Sequence, residues 1–255
     1  MGLHDTNHPS QDPFYKAPPR FEKSPPGTVL RIRTAPSEYF EPIPNCSVAY
    51  HIVHRTTDNR FRPSWAVTTL LLPKGYSHSA APVPLLSYQI PSNSPSLDAS
   101  PSFDQSTLIA PGNPVSVVLG QGWLVVVPDF EGPTGSYGAG VQSGHATIDS
   151  IRAILSLSNS KGGESGHPNL HVNIGGSPPK LGTINQYAMW GYSGGSVATE
   201  FAAELSVQYS PEMEFAGAVL GGVVPNITGV LDRVNGSPYV GNIFAFFSRF
   251  AKPTC

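Results

Sequence analysis

An α/β fold built on a mostly parallel sheet is what this sequence predicts, and three observations carry the prediction. Beyond residue 120, strand-like apolar runs alternate with amphipathic helical stretches, the signature of βαβ units with right-handed crossovers. Leu124 to Val127 is continuously apolar, which suits a strand covered on both faces. A glycine-flanked serine, Gly191-Tyr192-Ser193-Gly194-Gly195, sits where a predicted strand meets a predicted helix.

Taken in chain order, residues 1–27 read as an extended lead punctuated by Pro9, Pro13, Pro18, Pro19, Pro25 and Pro26. Val48 to Val53 alternates weakly. Ala66 to Leu72 is β-branched and apolar and stops at Pro73. Val83 to Ile90 is a similar run that stops at Pro91. After Leu124 to Val127 comes a turn cluster, Asp129-Phe130-Glu131-Gly132-Pro133. A helix is predicted from Val141 to Ser158, because Ile148, Ile151, Ile154 and Leu155 keep helical spacing. Residues 160–182 are rich in Gly, Pro and Ser and read as a long surface loop. Tyr187 to Trp190 is a short strand. The helix after it, Gly195 to Tyr209, places Val197, Ala198, Phe201, Ala202 and Leu205 on one face and Glu200, Glu204 and Gln208 on the other. Phe215 to Val224 is predicted as a further buried strand. Trp123 and Trp190, beside strand ends, are expected in the core. Leu231 to Cys255 breaks the rhythm and carries Phe244, Phe246, Phe247 and Phe250. The expected division is therefore a lead (1–27), an α/β core (28–230) and the start of a cap or lid (231–255), with an ordinary core helix as the other reading of the aromatic stretch.

Composition narrows the function. The 255 residues are 39% hydrophobic, enough for a core, and carry a formal charge of −2, so there is no basic footprint for nucleic acid. Only 13% are charged, about half of the roughly 25% usual in globular proteins. No apolar run approaches the roughly 18 residues of a membrane span. Three glycosylation sequons begin at Asn45, Asn226 and Asn235, which favours secretion. The amino end has no apolar signal core, so the expectation is either a removed leader or a start further upstream. Met1-Gly2-Leu3-His4-Asp5-Thr6 fits a myristoylation pattern, but the sequons argue against that use. The two cysteines, Cys46 and Cys255, do not decide the compartment.

The chemistry sits in Gly191 to Gly195. This is a G-x-S-x-G nucleophile elbow, and its strand–turn–helix setting makes the motif specific; it implies an α/β-hydrolase fold. Gly191 and Gly195 lack β-carbons, so strand and helix can approach closely. Ser193 is the predicted nucleophile, Tyr192 the variable residue of the turn, and the Gly194 N–H one donor to the developing oxyanion. The second donor is sought in the loop after an earlier strand, Pro91-Ser92-Asn93-Ser94, where Asn93 is either an oxyanion donor or a plain turn residue. Asp129 reads as a structural acid bonding nearby backbone. A serine nucleophile needs a histidine oriented by a carboxylate, in the order Ser, acid, His. None of the eight histidines (His4, His8, His51, His54, His78, His145, His167, His171) follows Ser193. The expectation is thus a hydrolase core truncated before its triad acid and histidine and inactive alone. Recruiting His145 or His171 would break the order.

At the elbow and its flanks the chain resembles the fungal secretory lipases of the Candida antarctica lipase A type. The resemblance is carried by Asp12-Pro13-Phe14-Tyr15, His54-Arg55-Thr56-Thr57, Ser87-Tyr88-Gln89, Leu97-Asp98, Asp129-Phe130-Glu131-Gly132, Gly191 to Ser196 with its helix, Pro211-Glu212 and Gly221-Gly222. It implies an extracellular acyl hydrolase acting on triacylglycerols or other long-chain esters at an oil–water interface, with no metal or other cofactor. By position it makes Ser193 the nucleophile and Gly194 an oxyanion N–H. Asn93 falls where the family has an oxyanion-hole aspartate; asparagine keeps a donor but cannot act as an acid. The family cysteine of that loop is replaced near Ala99, so one disulfide is expected to be absent. A carboxylesterase or serine peptidase of the same fold, or a catalytically inert protein, are the other readings.

Overall fold

The computed structural model describes residues 7–78, 82–158 and 178–248. The predicted loop at 160–182 therefore falls largely outside the described residues, as do Phe250 and Cys255. Seven strands form one sheet: β1 Val29–Thr34, β2 Cys46–Thr57, β3 Pro63–Pro73, β4 Val83–Gln89, β5 Leu124–Pro128, β6 Ile184–Tyr192 and β7 Gly217–Gly221. The helices are α1 Ser37–Phe40, α2 Pro114–Gly120, α3 Gly140–Leu157, α4 Gly194–Tyr209, α5 Ile227–Val234 and α6 Gly241–Ser248.

The strand order is β1-β2-β3-β5-β4-β6-β7. β1, β2, β3 and β5 pair antiparallel in that order, whereas β5, β4, β6 and β7 pair parallel. The sheet is mixed, which corrects the expectation of a mostly parallel one. The physical reason is connection length. Only residues 58–62 join β2 to β3, and a link that short can only reverse the chain. Crossovers long enough for parallel pairing begin after β4, where α2, α3 and α4 supply them. The companion expectation, a core cut short ahead of its acid and base, is corrected as to the sheet: the strand bearing the serine is paired on both sides, by β4 and β7.

Both helices around the elbow form within a residue of the predicted bounds. α3 buries Ile148, Ile151 and Ile154 against the sheet, where Ile52, Leu70, Leu85, Leu124, Val126 and Met189 meet them. On the opposite face, Val125, Val127, Leu86 and Leu71 pack with α2 residues Val115 and Leu119. The alternation of the strand residues between these two clusters follows the period of two. β1 is not expected from the sequence; a register shift between Val29 and Arg31 breaks its period, so that Val29 and Ile32 join the α3-side core while Leu30 packs under the amino-terminal segment. Residues 7–27 lie against the sheet and bury Phe14 and Tyr15 with Leu30, Val53 and Val67.

Two further expectations are corrected. Among the described residues β7 is the last strand of the sheet rather than a buried one, and Val219 is 56% exposed. Trp123 is partly exposed instead of core, because it follows the Gly122 turn at the surface end of α2. Trp190 does pack against the α2-side core. Phe244 and Phe247 on α6 are exposed, so the core-helix reading of that stretch does not hold for them.

Candidate active site

β6 runs into α4 through a turn with Ser193 at its apex. Ser193 has φ 53° and ψ −119°, a conformation non-glycine residues rarely adopt. The turn survives because its surroundings impose it. Ser193 N–H donates to the Gly221 carbonyl at 2.9 Å, and Ser196 Oγ donates back to the Ser193 carbonyl at 2.6 Å. Tyr192 lies half exposed over Gly221 and Gly222; a β-carbon on Gly221 would stand 2.7 Å from its ring.

The flanking glycines are dictated by distance. A β-carbon on Gly191 would come within 2.1 Å of the Gly195 carbonyl oxygen, and one on Gly195 within 2.0 Å of the Gln89 carbonyl oxygen. Gly194 opens α4, so its N–H is unspent by the helix and faces outward from the positive end of the dipole.

Above Gly194 lies the loop after β4. A β-carbon on Gly194 would meet the Ser92 carbonyl oxygen at 2.5 Å and Asn93 Oδ1 at 2.6 Å. The structure thus brings Asn93, Gly194 and Ser193 into one cluster. The loop is held from behind by the turn after β5. Ser92 Oγ donates to Glu131 Oε2 at 3.3 Å, Gln142 Nε2 donates to the Glu131 carbonyl at 2.9 Å, and Gly135 packs against the Pro95 carbonyl. Asp129, in the same turn, is buried and accepts from Ser102 N–H at 2.9 Å and Ser102 Oγ at 2.5 Å. Burial raises its pKa to about 7, more than those hydrogen bonds lower it. These bonds are the structural use expected of it.

Topology sets His51, His54, His145 and His78 apart from Ser193. His51 and His54 lie on β2, with β3, β5 and β4 between them and β6, roughly 19 Å away at about 4.8 Å per strand. His145 packs on Tyr209 with ring centroids 4.2 Å apart, at the far end of α4, roughly 24 Å from its first residue. His78 touches Gly182, ahead of the start of β6, the end opposite the elbow. His8 packs at a tilt on Phe103, with ring centroids 5.1 Å apart. His4, His167 and His171 lie outside the described residues.

A model of the secretory lipase family matches residues 106–169 and 180–253, more than half of the chain. The chain belongs to the secretory lipase family. Among similar secretory lipases and esterases, the trichothecene C-3 esterase of Fusarium sporotrichioides is 44% identical over 242 residues, covering 91% of this chain and 50% of that protein. Lipase A of Arthroderma benhamiae is 36% identical over 242 residues, covering 89% and 47%. Candida antarctica lipase A in its closed state superposes with a TM-score of 0.74 at 27% identity, over 96% of this chain and 53% of that one. The chain spans about half the length of the curated relatives it matches.

Among the described residues no group of three or more His, Cys, Asp or Glu could hold a metal ion, and no helix is long and apolar enough to cross a membrane. Cys46 is buried and free. All three sequon asparagines are at exposed positions. Asn45 differs from the others, because its Nδ2 donates to the Ser116 carbonyl at 2.9 Å.

Proposed function

We propose that the protein is a secreted serine ester hydrolase in which Ser193 is the nucleophile and the Gly194 and Asn93 N–H groups form the oxyanion hole. The strained Ser193 turn beneath the Asn93 loop is the observation that carries this reading. Ser193 Oγ attacks the ester carbonyl while a general base takes its proton, and the carbonyl oxygen becomes an oxyanion. Two amide donors aimed at that oxygen stabilise the transition state more than the ground state. The C–O bond to the alcohol then breaks, the proton passes to the leaving alcohol, and water hydrolyses the acyl-serine. The chemistry uses no cofactor.

The substrate we propose is a carboxylic ester of a lipid or other apolar alcohol, met at an oil–water interface or in solution, with α5 and α6 at the start of a cap over it. A second reading, an esterase acting on a compact polycyclic alcohol ester, is favoured by the higher identity to the trichothecene C-3 esterase than to Lipase A. Export is supported by the family, and Asn226 and Asn235 are the preferred glycan positions because the Asn45 amide nitrogen is engaged.

The test is hydrolysis of p-nitrophenyl esters from acetate to palmitate, of a triacylglycerol emulsion and of a trichothecene C-3 ester. Ser193→Ala is expected to lower kcat at least 10³-fold with the fold intact by circular dichroism. Equal rates in the two proteins would reject Ser193 as the nucleophile. Preference for emulsified long chains supports the lipase reading, and preference for the trichothecene ester supports the second.

A further inference from the structure

Beneath the elbow a fully buried polar pair links the two halves of the candidate oxyanion hole. Gln89, the last residue of β4, lies four residues before Asn93 and pairs in register with Gly191 of β6. Thr199 is one turn and a half into α4 from Ser193. Thr199 Oγ1 donates to Gln89 Oε1 at 2.7 Å, and Gln89 Nε2 donates to Ser87 Oγ at 2.7 Å, which orients the amide. Gln89 and Thr199 are both completely buried.

We propose that Gln89 and Thr199 are positioning residues, a clamp that sets the distance between the Asn93 and Gly194 amides. This rests on the hydrolase reading above. The close contact of Gly195 with the Gln89 carbonyl fixes one point of α4 on β4. Packing on α3 holds α4 as a body, but the Gly195 contact alone gives its first turns no directed bond to β4, and a small shift there moves Gly194 relative to Asn93. The Thr199 bond adds a second point one turn along, about 6 Å further down the axis. Two points tie those turns to β4 in one orientation. The pair is poorly accounted for by stability alone, since apolar groups of the same shape at both positions can be nearly neutral there. What apolar packing lacks is direction, and direction governs how well two amides fit an oxyanion.

The test is a double-mutant cycle in the full-length protein: Thr199→Val, Gln89→Met, both together, and Thr199→Ser. Thermal midpoint, kcat and KM on a soluble short-chain ester, and the rate of Ser193 labelling by a fluorophosphonate are measured for each. Thr199→Val is expected to lower kcat about 10-fold with KM within about twofold, and Thr199→Ser to restore kcat to within about twofold. The double variant is expected to melt near the wild-type midpoint yet keep the low kcat. A double variant with both wild-type stability and wild-type kcat would overturn the clamp. So would a Thr199→Val loss confined to the melting temperature. Amide exchange at Asn93 and Gly194 is the readout independent of turnover. If Ser193 proves unreactive in the wild type, the hydrolase reading fails. The clamp then stands if exchange at both amides quickens in Thr199→Val, and falls if it does not.

Discussion

Single residues at the elbow are constrained by space more than by charge. Gly195 has the Gln89 carbonyl where a β-carbon would go, and that oxygen belongs to a central strand that cannot yield. Gly195→Ala is therefore expected to cost at least about 3 kcal/mol, at the upper end for overpacking, because a backbone rather than a side chain must move. Gly217→Ala is the control: it has open space around it and is expected within about 0.5 kcal/mol of wild type. Urea unfolding of both variants checks this, and equal losses would show that the contact is soft. The need for glycine at 191 and 195 was legible in the sequence, because the elbow motif is defined by that clash. The closeness of Asn93 to Gly194 was legible only as a candidate loop, since the hundred residues between them say nothing about distance.

At the scale of elements, α3 and α4 are locked together by a charge set in their shared interface. Asp149 is fully buried and accepts from Arg152 at 2.8 Å, Thr56 at 2.7 Å and Tyr209 at 2.8 Å. Arg152 also donates to the Tyr209 carbonyl at 2.6 Å and to Glu212 at 2.7 Å. Burial raises the Asp149 pKa to about 6 despite the nearby guanidinium. Arg152→Met would leave a buried carboxylate without its counter-charge, a loss of about 3 kcal/mol at pH 7.5. At pH 5 Asp149 is protonated, so the loss should shrink. Urea unfolding at the two pH values tests this; an equal loss at both would mean that packing, not charge, is what Arg152 contributes. The helical periods of α3 and α4 were readable from residue spacing. Their mutual lock was not, because Asp149 and Arg152 read as ordinary polar positions until a neighbouring helix covers them.

For the whole molecule, three buried histidines, His51, His54 and His145, and two buried acids, Asp129 and Asp149, work against each other as pH falls. Burial, with Arg33 nearby, lowers the His51 pKa from 6.5 to about 3, and burial lowers that of His54 to about 4. Groups with depressed folded pKa values contribute stability that is present above pH 6.5 and lost as pH falls toward those values. Asp129 and Asp149 are raised from 3.8 to about 7 and about 6, so their contribution is present below pH 3.8 and lost as pH rises through the folded values. Between pH 4.5 and 6 the unfolded chain carries protons on His51 and His54 and the folded chain on the two acids, so these four offset. Burial lowers the His145 pKa as well, so the balance tips toward a fall in stability as pH drops. Asp129→Asn removes one opposing proton, so that fall should steepen by about 1.4 kcal/mol per unit across the window. Thermal or urea denaturation at four pH values would check it, and an unchanged slope would reject a protonated Asp129.

The sequence by itself determined the elbow, the strand and helix that hold it, and the kind of nucleophile, because those depend on neighbours within a few residues. Tertiary structure alone decided that the sheet is mixed, that β7 is the last of its described strands, that Asn93 meets Gly194, and that His51, His54, His78 and His145 stand far from Ser193. The reason is that side-chain identity sets local geometry, whereas strand order sets which distant residues share a site, and strand order follows from how long each connection is and where it packs.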